Sequence, residues 1–291
     1  MNKKIERNDP CWCKSGKKYK NCHLIMEERI LTYKRKGCMV PTREMIKTKT
    51  QLDGIRESGK VNIAILDYIS EYMKAGISTE EINQLIHRKT LEMGGVSATL
   101  GFEGFPKSVC TSVNHEVCHG IPSEKVILKD GDIINVDVST IFNGYYSDSS
   151  RMFCIGNVSD DKKRLVDITK KSIEIGLKEI RPWNFMGDMG QAIHDFARSN
   201  GYSVVKEIGG HGVGVEFHED PHVSFVAERG TQMLLVPGMV FTIEPMLNMG
   251  SADVVFDEEN GWTVYTKDGK ASAQWEVTVA VTEAGYEILA Y

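Results

Sequence analysis

The chain has 291 residues, 41% of them apolar, with a formal net charge of −5, which suits one large domain plus a small appendage and supplies a sizeable core. No run approaches the roughly 18 apolar residues of a membrane-spanning helix, and the opening MNKKIERNDP lacks the apolar stretch of a secretory signal. Seven unevenly placed cysteines do not read as a disulfide framework, so a cytoplasmic location without a membrane partner is expected.

The charge is uneven along the chain. Residues 1–36 carry eleven Lys/Arg against four Asp/Glu, net +7, which leaves −12 on residues 37–291. A basic head on an acidic body points to a polyanionic partner for the N-terminal segment, against the simpler reading of a solvated tail. Within that head, residues 9–23 read DPCWCKSGKKYKNCH, and Cys11, Cys13, Cys22 and His23 form a compact Cys3His set, the donor chemistry of tetrahedral zinc. So short a segment cannot bury a core. Metal binding would supply its folding energy, about 10–16 kcal/mol in finger peptides. Free thiols on a loose tail are the weaker alternative, because Gly16 suits a knuckle turn. Gly16-Lys17 is no phosphate loop, since the upstream Gly and following Ser/Thr are missing. The cysteine–histidine spacing and the surrounding lysines resemble the SEC-C motif, a small zinc module found on SecA and some other bacterial proteins. That resemblance implies a structural zinc ion and sets the division used here: residues 1–36 a zinc-binding module with a linker helix, residues 37–291 a second domain.

Residues 24–42 read as a short helix and a linker ending at Pro41. From Thr42 onwards Ile46, Leu52, Ile55, Val61, Ile65, Leu66 and Ile69 recur at helical spacing as far as Gly76. Ser78-Thr79-Glu80-Glu81 is a capping box opening a second helix with Ile82, Leu85, Ile86 and Leu91 on its apolar face, stopped by Gly94-Gly95. His87 on this helix reads as structural or exposed.

After FEGFPKSVCTSVNHEVCHGIP comes GDIINVDVSTIFNGYYSD, residues 131–148. Asp137 interrupts an apolar run that reads as a buried strand, and an isolated carboxylate there is costly. Asn143-Gly144 signals a tight turn, so the returning strand brings Asp148 back beside Asp137. Like charges at close range oppose each other's ionisation, and a divalent cation with hard oxygen ligands removes the conflict. A helix then runs from Ser159 as N-cap to about Ile180, ended by Pro182, and another from about 187 to 200, stopped by Gly201. Beyond GGHGVGVEFHEDP, Glu244 in MVFTIEPML and Glu276 in SAQWEVTVAV again place acids inside apolar, β-branched runs. One such acid is a routine edge-strand charge, whereas four together favour a metal cluster. His211, between glycines, completes the donor set. The GGHGVG run is not a dinucleotide loop, because its glycine spacing is wrong and no helix follows.

The order of elements repeats. Each half has two helices, then a His-Gly step (His119-Gly120, His211-Gly212), then a glycine six residues before a strand acid (Gly131 and Asp137, Gly238 and Glu244). A duplicated α+β unit with its polar site at the shared centre is expected.

VCHGIP, NVDV, YYSDSS, GGHGVG with FHE, FTIEP and QWEVTV, in this order over residues 42–291, resemble the type I methionine aminopeptidases of bacteria. The resemblance implies the pita-bread fold, a pseudo-two-fold α+β architecture with two divalent ions at its centre. It implies removal of initiator methionine from nascent chains when the next residue is small, through a metal-activated water or hydroxide. Asp137 would ligate one ion, His211 and Glu244 the other, with Asp148 and Glu276 bridging, and Glu244 would also shuttle the proton. His119 would contact the amide at the cleaved bond and His218 would stabilise the tetrahedral intermediate. Phe102, Phe105, Cys110, Phe217 and Trp262 match pocket positions, where rings and a thiol suit a thioether, though core packing is the plain alternative for each. Glu103 and Thr99 depart from the common bacterial histidine and cysteine. His115 and His222 match no role and read as surface or structural. The metal set accepts Co, Mn, Fe or Zn, the basic module implies contact with ribosomal RNA, and a monomer is expected. A prolidase or aminopeptidase P would share fold and ligands but carry a large N-terminal domain, and a non-catalytic binding protein on this fold would lose ligands that stand here.

Overall fold

The computed structural model describes residues 5–291, so Lys3 and Lys4 of the basic head lie outside the described residues. Among the described residues there are five α-helices: α1 (Leu24–Arg35), α2 (Lys49–Ser70), α3 (Thr79–Glu92), α4 (Asp160–Leu177) and α5 (Met186–Ser199). α2 begins later than its apolar periodicity predicts. Thr48 caps it by accepting from the Gln51 N–H, and the Gln51 side chain accepts from the Thr48 N–H. The apolar Ile46 that extended the pattern is instead bridged to Met239 in the other half. α3 starts at the expected capping box of Ser78 and Glu81. Ser159 precedes α4 in an extended conformation, but its side chain makes no capping hydrogen bond. Asp160 and Asp161 in the first turn complement the helix dipole instead.

The acidic hairpin forms as expected. Strands Ile133–Phe142 and Tyr145–Cys154 pair antiparallel over their full lengths. Asn143 (φ 51°) and Gly144 (φ 80°) both take the left-handed conformation of a type I′ turn. Strands Val96–Ser97 and Cys110–Val113 flank Ile133–Phe142 and complete a four-stranded sheet. Side chains alternate across it. Ile134, Val136 and Val138 pack with Ile65, Leu66 and Ile69 of α2 and Ile82 and Ile86 of α3, which turns Asp137 and Ser139 to the opposite face, toward the molecular centre. α2 lies tightly on this hairpin because its contact residues are small or polar. Ser58 Oγ donates to the Thr140 carbonyl, and Asn62 donates to Val138 and accepts from Ser149. At Gly59 a Cβ would stand 1.9 Å from the Leu289 carbonyl oxygen.

The second half repeats the plan. Strands Gly285–Ala290, Val277–Thr282, Val240–Ile243, Gly210–Gly212 and Glu219–Val223 form an antiparallel sheet in that order. Leu165 and Ile173 of α4 and Met189 and Ile193 of α5 share a core with Phe241, Ile243, Val277 and Val279. The two halves are stitched where Ser150 and Glu276 exchange backbone hydrogen bonds and Thr278 Oγ1 donates to the Asp148 carbonyl. The internal repeat expected from the sequence is therefore built, with its acidic strands meeting at the seam.

The N-terminal segment does not stand apart. Ile30 of α1 is buried in the second-half core, with Trp12, Met26 and Tyr33 packed against the same cluster. The Arg29 guanidinium lies 3.9 Å from the centre of the Trp183 ring. Glu27 gathers donors from both sides: Trp12 Nε1 and Tyr19 Oη from the knuckle, Nε and Nη2 of Arg43 from the strap leading into α2.

Candidate active site

The seam encloses a cavity of about 340 Å³ lined by every residue the sequence nominates for the paired-metal centre, proton transfer and substrate: Asp137, Asp148, His211, Glu244, Glu276, His119, His218, Phe102, Phe105, Cys110, Phe217 and Trp262. Donor atoms of Asp148, His211 and Glu276 lie within 4.8 Å of one another. His211 Nε2 is 3.7 Å from an oxygen of Asp148 and 3.7 Å from one of Glu244. Its other ring nitrogen, Nδ1, is 3.0 Å from the Gly212 carbonyl. A carbonyl can only accept, so Nδ1 carries the proton and Nε2 offers its lone pair to the cluster.

The carboxylates are oriented by neighbours that sequence reasoning missed. Thr242 Oγ1 donates to Glu244 Oε1 at 2.7 Å, Gln274 Nε2 donates to Glu244 Oε2 at 3.1 Å, and Ser139 Oγ donates to Asp148 Oδ1 at 2.8 Å. Thr242, Gln274 and Ser139 each stand two residues from Glu244, Glu276 and Asp137, so strand alternation was the available signal.

Burial dominates the electrostatics. It raises Asp137 to about 7 and Glu244 to about 8, the latter with Asp137 adding to the shift, and it pushes Asp148 and Glu276 well above the carboxylate range with help from neighbouring acids. The same burial lowers His211 to about 3 and His119 to about 4, with the other site histidines adding to it, and also lowers His218. Among the described residues no lysine or arginine pairs with any of the four acids, and Asp137 Oδ1 is buried without a hydrogen-bond partner. Four buried carboxylates short of positive charge, beside a neutral imidazole, fit divalent cations.

The apolar wall is aromatic. Phe102 meets Phe217 edge-on with ring centres 4.8 Å apart, and Phe105 meets Trp262 at 5.1 Å. Cys110 sits opposite Asp137 in strand register, which brings the pocket to the acids. His119 holds a left-handed backbone (φ 56°) at the cavity edge. Glu103 and Thr99, the two departures, both line the cavity. His222, expected to be surface or structural, is exposed and also lines it, because its strand runs beside Gly209 and Gly210. His115 stacks on Tyr265 outside the cavity, and His87 bonds to Ser108.

The knuckle also assembles. Sγ of Cys11, Cys13 and Cys22 and a ring nitrogen of His23 lie within 4.8 Å of one another. His23 Nδ1 is 3.1 Å from Cys11 Sγ and 3.2 Å from Cys22 Sγ. Burial pushes the Cys11 thiol up to about 11. At Cys13 burial is outweighed by hydrogen bonds with Ser15 and the neighbouring thiols, so its value falls. All seven cysteines are free, as expected.

An acid-rich, metal-compatible centre at the two-fold seam of an α+β fold has the make-up of a metal-dependent hydrolase site. Residues 53–283 match the model of metallopeptidase family M24, and residues 7–24 match the SEC-C motif. A methionine aminopeptidase of Buchnera aphidicola is 44% identical over 248 residues, 85% of this chain and 94% of that one. A methionine aminopeptidase of Chlamydia pneumoniae is 40% identical over 288 residues, 98% of both chains, so the likeness includes the N-terminal segment. The crystal structure of methionine aminopeptidase from Rickettsia prowazekii superposes with a TM-score of 0.83 at 41% identity, covering 84% of this chain and 99% of that one. The chain belongs to metallopeptidase family M24, has that family's pita-bread fold, and carries a SEC-C motif at its N-terminus; family membership implies divalent metal ions. Among the described residues no helix is long and apolar enough to cross a membrane.

Proposed function

We propose that this chain removes the initiator methionine from nascent proteins whose second residue is small. It is a metalloaminopeptidase. The observation that carries the reading is the cluster of four acids and His211 in an aromatic-walled cavity of about 340 Å³. The thioether of methionine packs well against such rings.

Asp137, Asp148, His211, Glu244 and Glu276 would hold two divalent ions, Mn, Fe, Co or Zn, Asp137 serving one, His211 and Glu244 the other and Asp148 and Glu276 both, and the ions would supply Lewis acidity and an activated water. The remaining work belongs to the chain. Thr242 and Gln274 hold Glu244, which accepts a proton and delivers it to the leaving amine. His119, neutral because burial lowers it to about 4, meets the amide at the cleaved bond. His218 donates toward the oxygen that gains charge as the carbonyl becomes tetrahedral. Phe102, Phe105, Cys110, Phe217 and Trp262 exclude water from the methionine side chain.

The knuckle binds a structural zinc through Cys11, Cys13, Cys22 and His23. Residues 1–36 form the zinc module and residues 37–291 the catalytic domain. The enzyme works in the cytoplasm as a monomer, and the module's lysines contact ribosomal RNA. Removing residues 1–36 should weaken ribosome co-sedimentation and reduce its salt sensitivity; unchanged binding would contradict the contact. For the activity itself, Met-Ala-Ser, Met-Trp-Ser and Ala-Pro peptides offered to Mn²⁺-loaded protein, with products read by mass spectrometry, should give free methionine from Met-Ala-Ser alone. Cleavage of Ala-Pro alone would move the chain to the prolidase branch.

A further inference from the structure

One buried ion pair has no place in the reaction as described. Lys47 is 4% exposed, and its Nζ donates to Glu219 Oε2 and to the Glu44 carbonyl. Glu219 Oε1 accepts from the backbone N–H groups of Val215 at 2.7 Å and Glu216 at 2.9 Å. A single carboxylate therefore ties a lysine of the strap before α2 to the loop that carries Phe217 and His218. The strap is fixed in turn. The Lys47 N–H donates to the Gly238 carbonyl at 2.8 Å, and Ile46 bridges Met239. The loop itself has little regular pairing: Gly214 donates to Glu216, and Tyr146 donates to Gly214.

We propose that the Lys47–Glu219 pair is a positioning device that sets where His218 stands over the metal cluster, an inference that rests on the aminopeptidase reading above. The two residues on the loop depend on it unequally. Phe217 is wedged between the Phe102 and Tyr146 rings, with centres at 4.8 and 6.3 Å, so aromatic packing holds it independently of the pair. The His218 ring packs edge-on against Phe102 and His211 and stacks on Phe217, and its backbone directly precedes Glu219, inside the turn that the Glu219 carboxylate closes on Val215 and Glu216. Its height over the site is therefore set by the backbone that Glu219 pins. A buried carboxylate stripped of its cation turns toward water, and an open groove lined by Thr42, Gln51 and Val215 lies beside the pair. Loss of Lys47 would draw Glu219 into that groove and carry the 215–218 backbone with it. A displacement of about 1 Å at a catalytic group is enough to cost of the order of a hundredfold in rate.

The experiment compares Lys47→Met, Lys47→Arg and Glu219→Asp with the parent chain, all Mn²⁺-loaded. It uses steady-state hydrolysis of Met-Ala-Ser at a temperature well below each protein's melting point, with hydrogen–deuterium exchange of residues 213–219. Lys47→Met and Glu219→Asp should lower kcat roughly ten- to a hundredfold with KM little changed, because the methionine pocket keeps Phe217. Exchange should quicken within 213–219 and nowhere else. Lys47→Arg, which keeps the charge, should restore most of kcat. Unchanged kcat with unchanged exchange would overturn the proposal. So would a rise in KM with kcat intact, or a loss of kcat accompanied by faster exchange throughout the chain. If the parent chain releases no methionine, the aminopeptidase reading fails, and the exchange measurement alone still decides whether the pair pins the loop.

Discussion

The two metal-compatible sites of this chain are built in opposite ways. The knuckle draws its donors from residues 11–23, a stretch with one 3-10 turn (Tyr19–Asn21) and no core of its own. The central site draws on Asp137, Asp148, His211, Glu244 and Glu276, spread over both halves and brought together by a sheet seam. A local site of this kind owes its shape to its metal. The central site is shaped by burial, strand register and hydrogen bonds from Ser139, Thr242 and Gln274. On the proposed reading the first is a folding device, the second a cavity shaped by the strands that carry it.

The sharpest way to break this comparison is by mutation. Glu244→Gln should reduce kcat for Met-Ala-Ser by about 10²–10⁴-fold, the span for loss of a proton-transfer group, with the fold retained by circular dichroism. Cys22→Ser should leave tripeptide hydrolysis intact. Equal losses from the two changes would erase the distinction. Chelation probes it next. Hydrogen exchange after chelator treatment should rise steeply in the knuckle while strands Ile133–Phe142 and Tyr145–Cys154 stay protected, and protection lost in both would mean that the central site also folds around its metal.

A gentler probe is pH. Between pH 6.5 and 8 His211 and His119 are neutral in the folded chain, their values there lying near 3 and 4, and unfolded histidines are partly protonated only at the lower end of the range, a small opposing contribution. The carboxyl groups then decide. Unfolded, they are fully ionised in this range; folded and metal-free, Asp137 holds its proton to about 7 and Glu244 to about 8. Glu116, half-buried and raised to about 7 by that burial, acts in the same direction. The folded chain binds more protons, so its stability falls as pH rises through this window. Melting of chelated protein should occur at a lower temperature at pH 8 than at pH 6.5, and saturating Mn²⁺ should remove or reverse that trend. The smallest effect concerns the joint between the two regions. Glu27→Ala removes charge-assisted bonds to Arg43 and leaves Trp12 and Tyr19 without their acceptor. It should cost about 1.5–3 kcal/mol in chemical denaturation, with catalysis below the transition unchanged.

What could be read in the sequence follows the same division. The knuckle was legible because its four donors are neighbours. The hairpin was legible because Asn143-Gly144 demands a left-handed turn and period-two alternation turns Asp137 away from Ile134, Val136 and Val138. Glu244, Glu276 and His211 stood out as polar groups in apolar or glycine-rich surroundings. The start of α2 was misplaced because Ile46 continues a helical rhythm while packing elsewhere, against Met239. The role of Gln274 depends on a partner thirty residues away, and the docking of α1 depends on Trp183 and Phe185, more than a hundred residues from Tyr33. His222 gave no sign of facing the cavity, because the stretch around Pro221 shows no apolar alternation to reveal its strand or the direction of the ring.

The most direct measurement is a paired count of metal and turnover. Parent chain and Glu244→Gln would be stripped by chelator and reloaded with Zn²⁺ and Mn²⁺. Bound ions would be counted by native mass spectrometry alongside methionine release from Met-Ala-Ser. The account predicts that stripping abolishes turnover, that reloading restores it in the parent chain in step with ions bound at the central site, and that Glu244→Gln retains the knuckle ion without activity. Full turnover by stripped protein, or restoration that follows the knuckle ion alone, would contradict it.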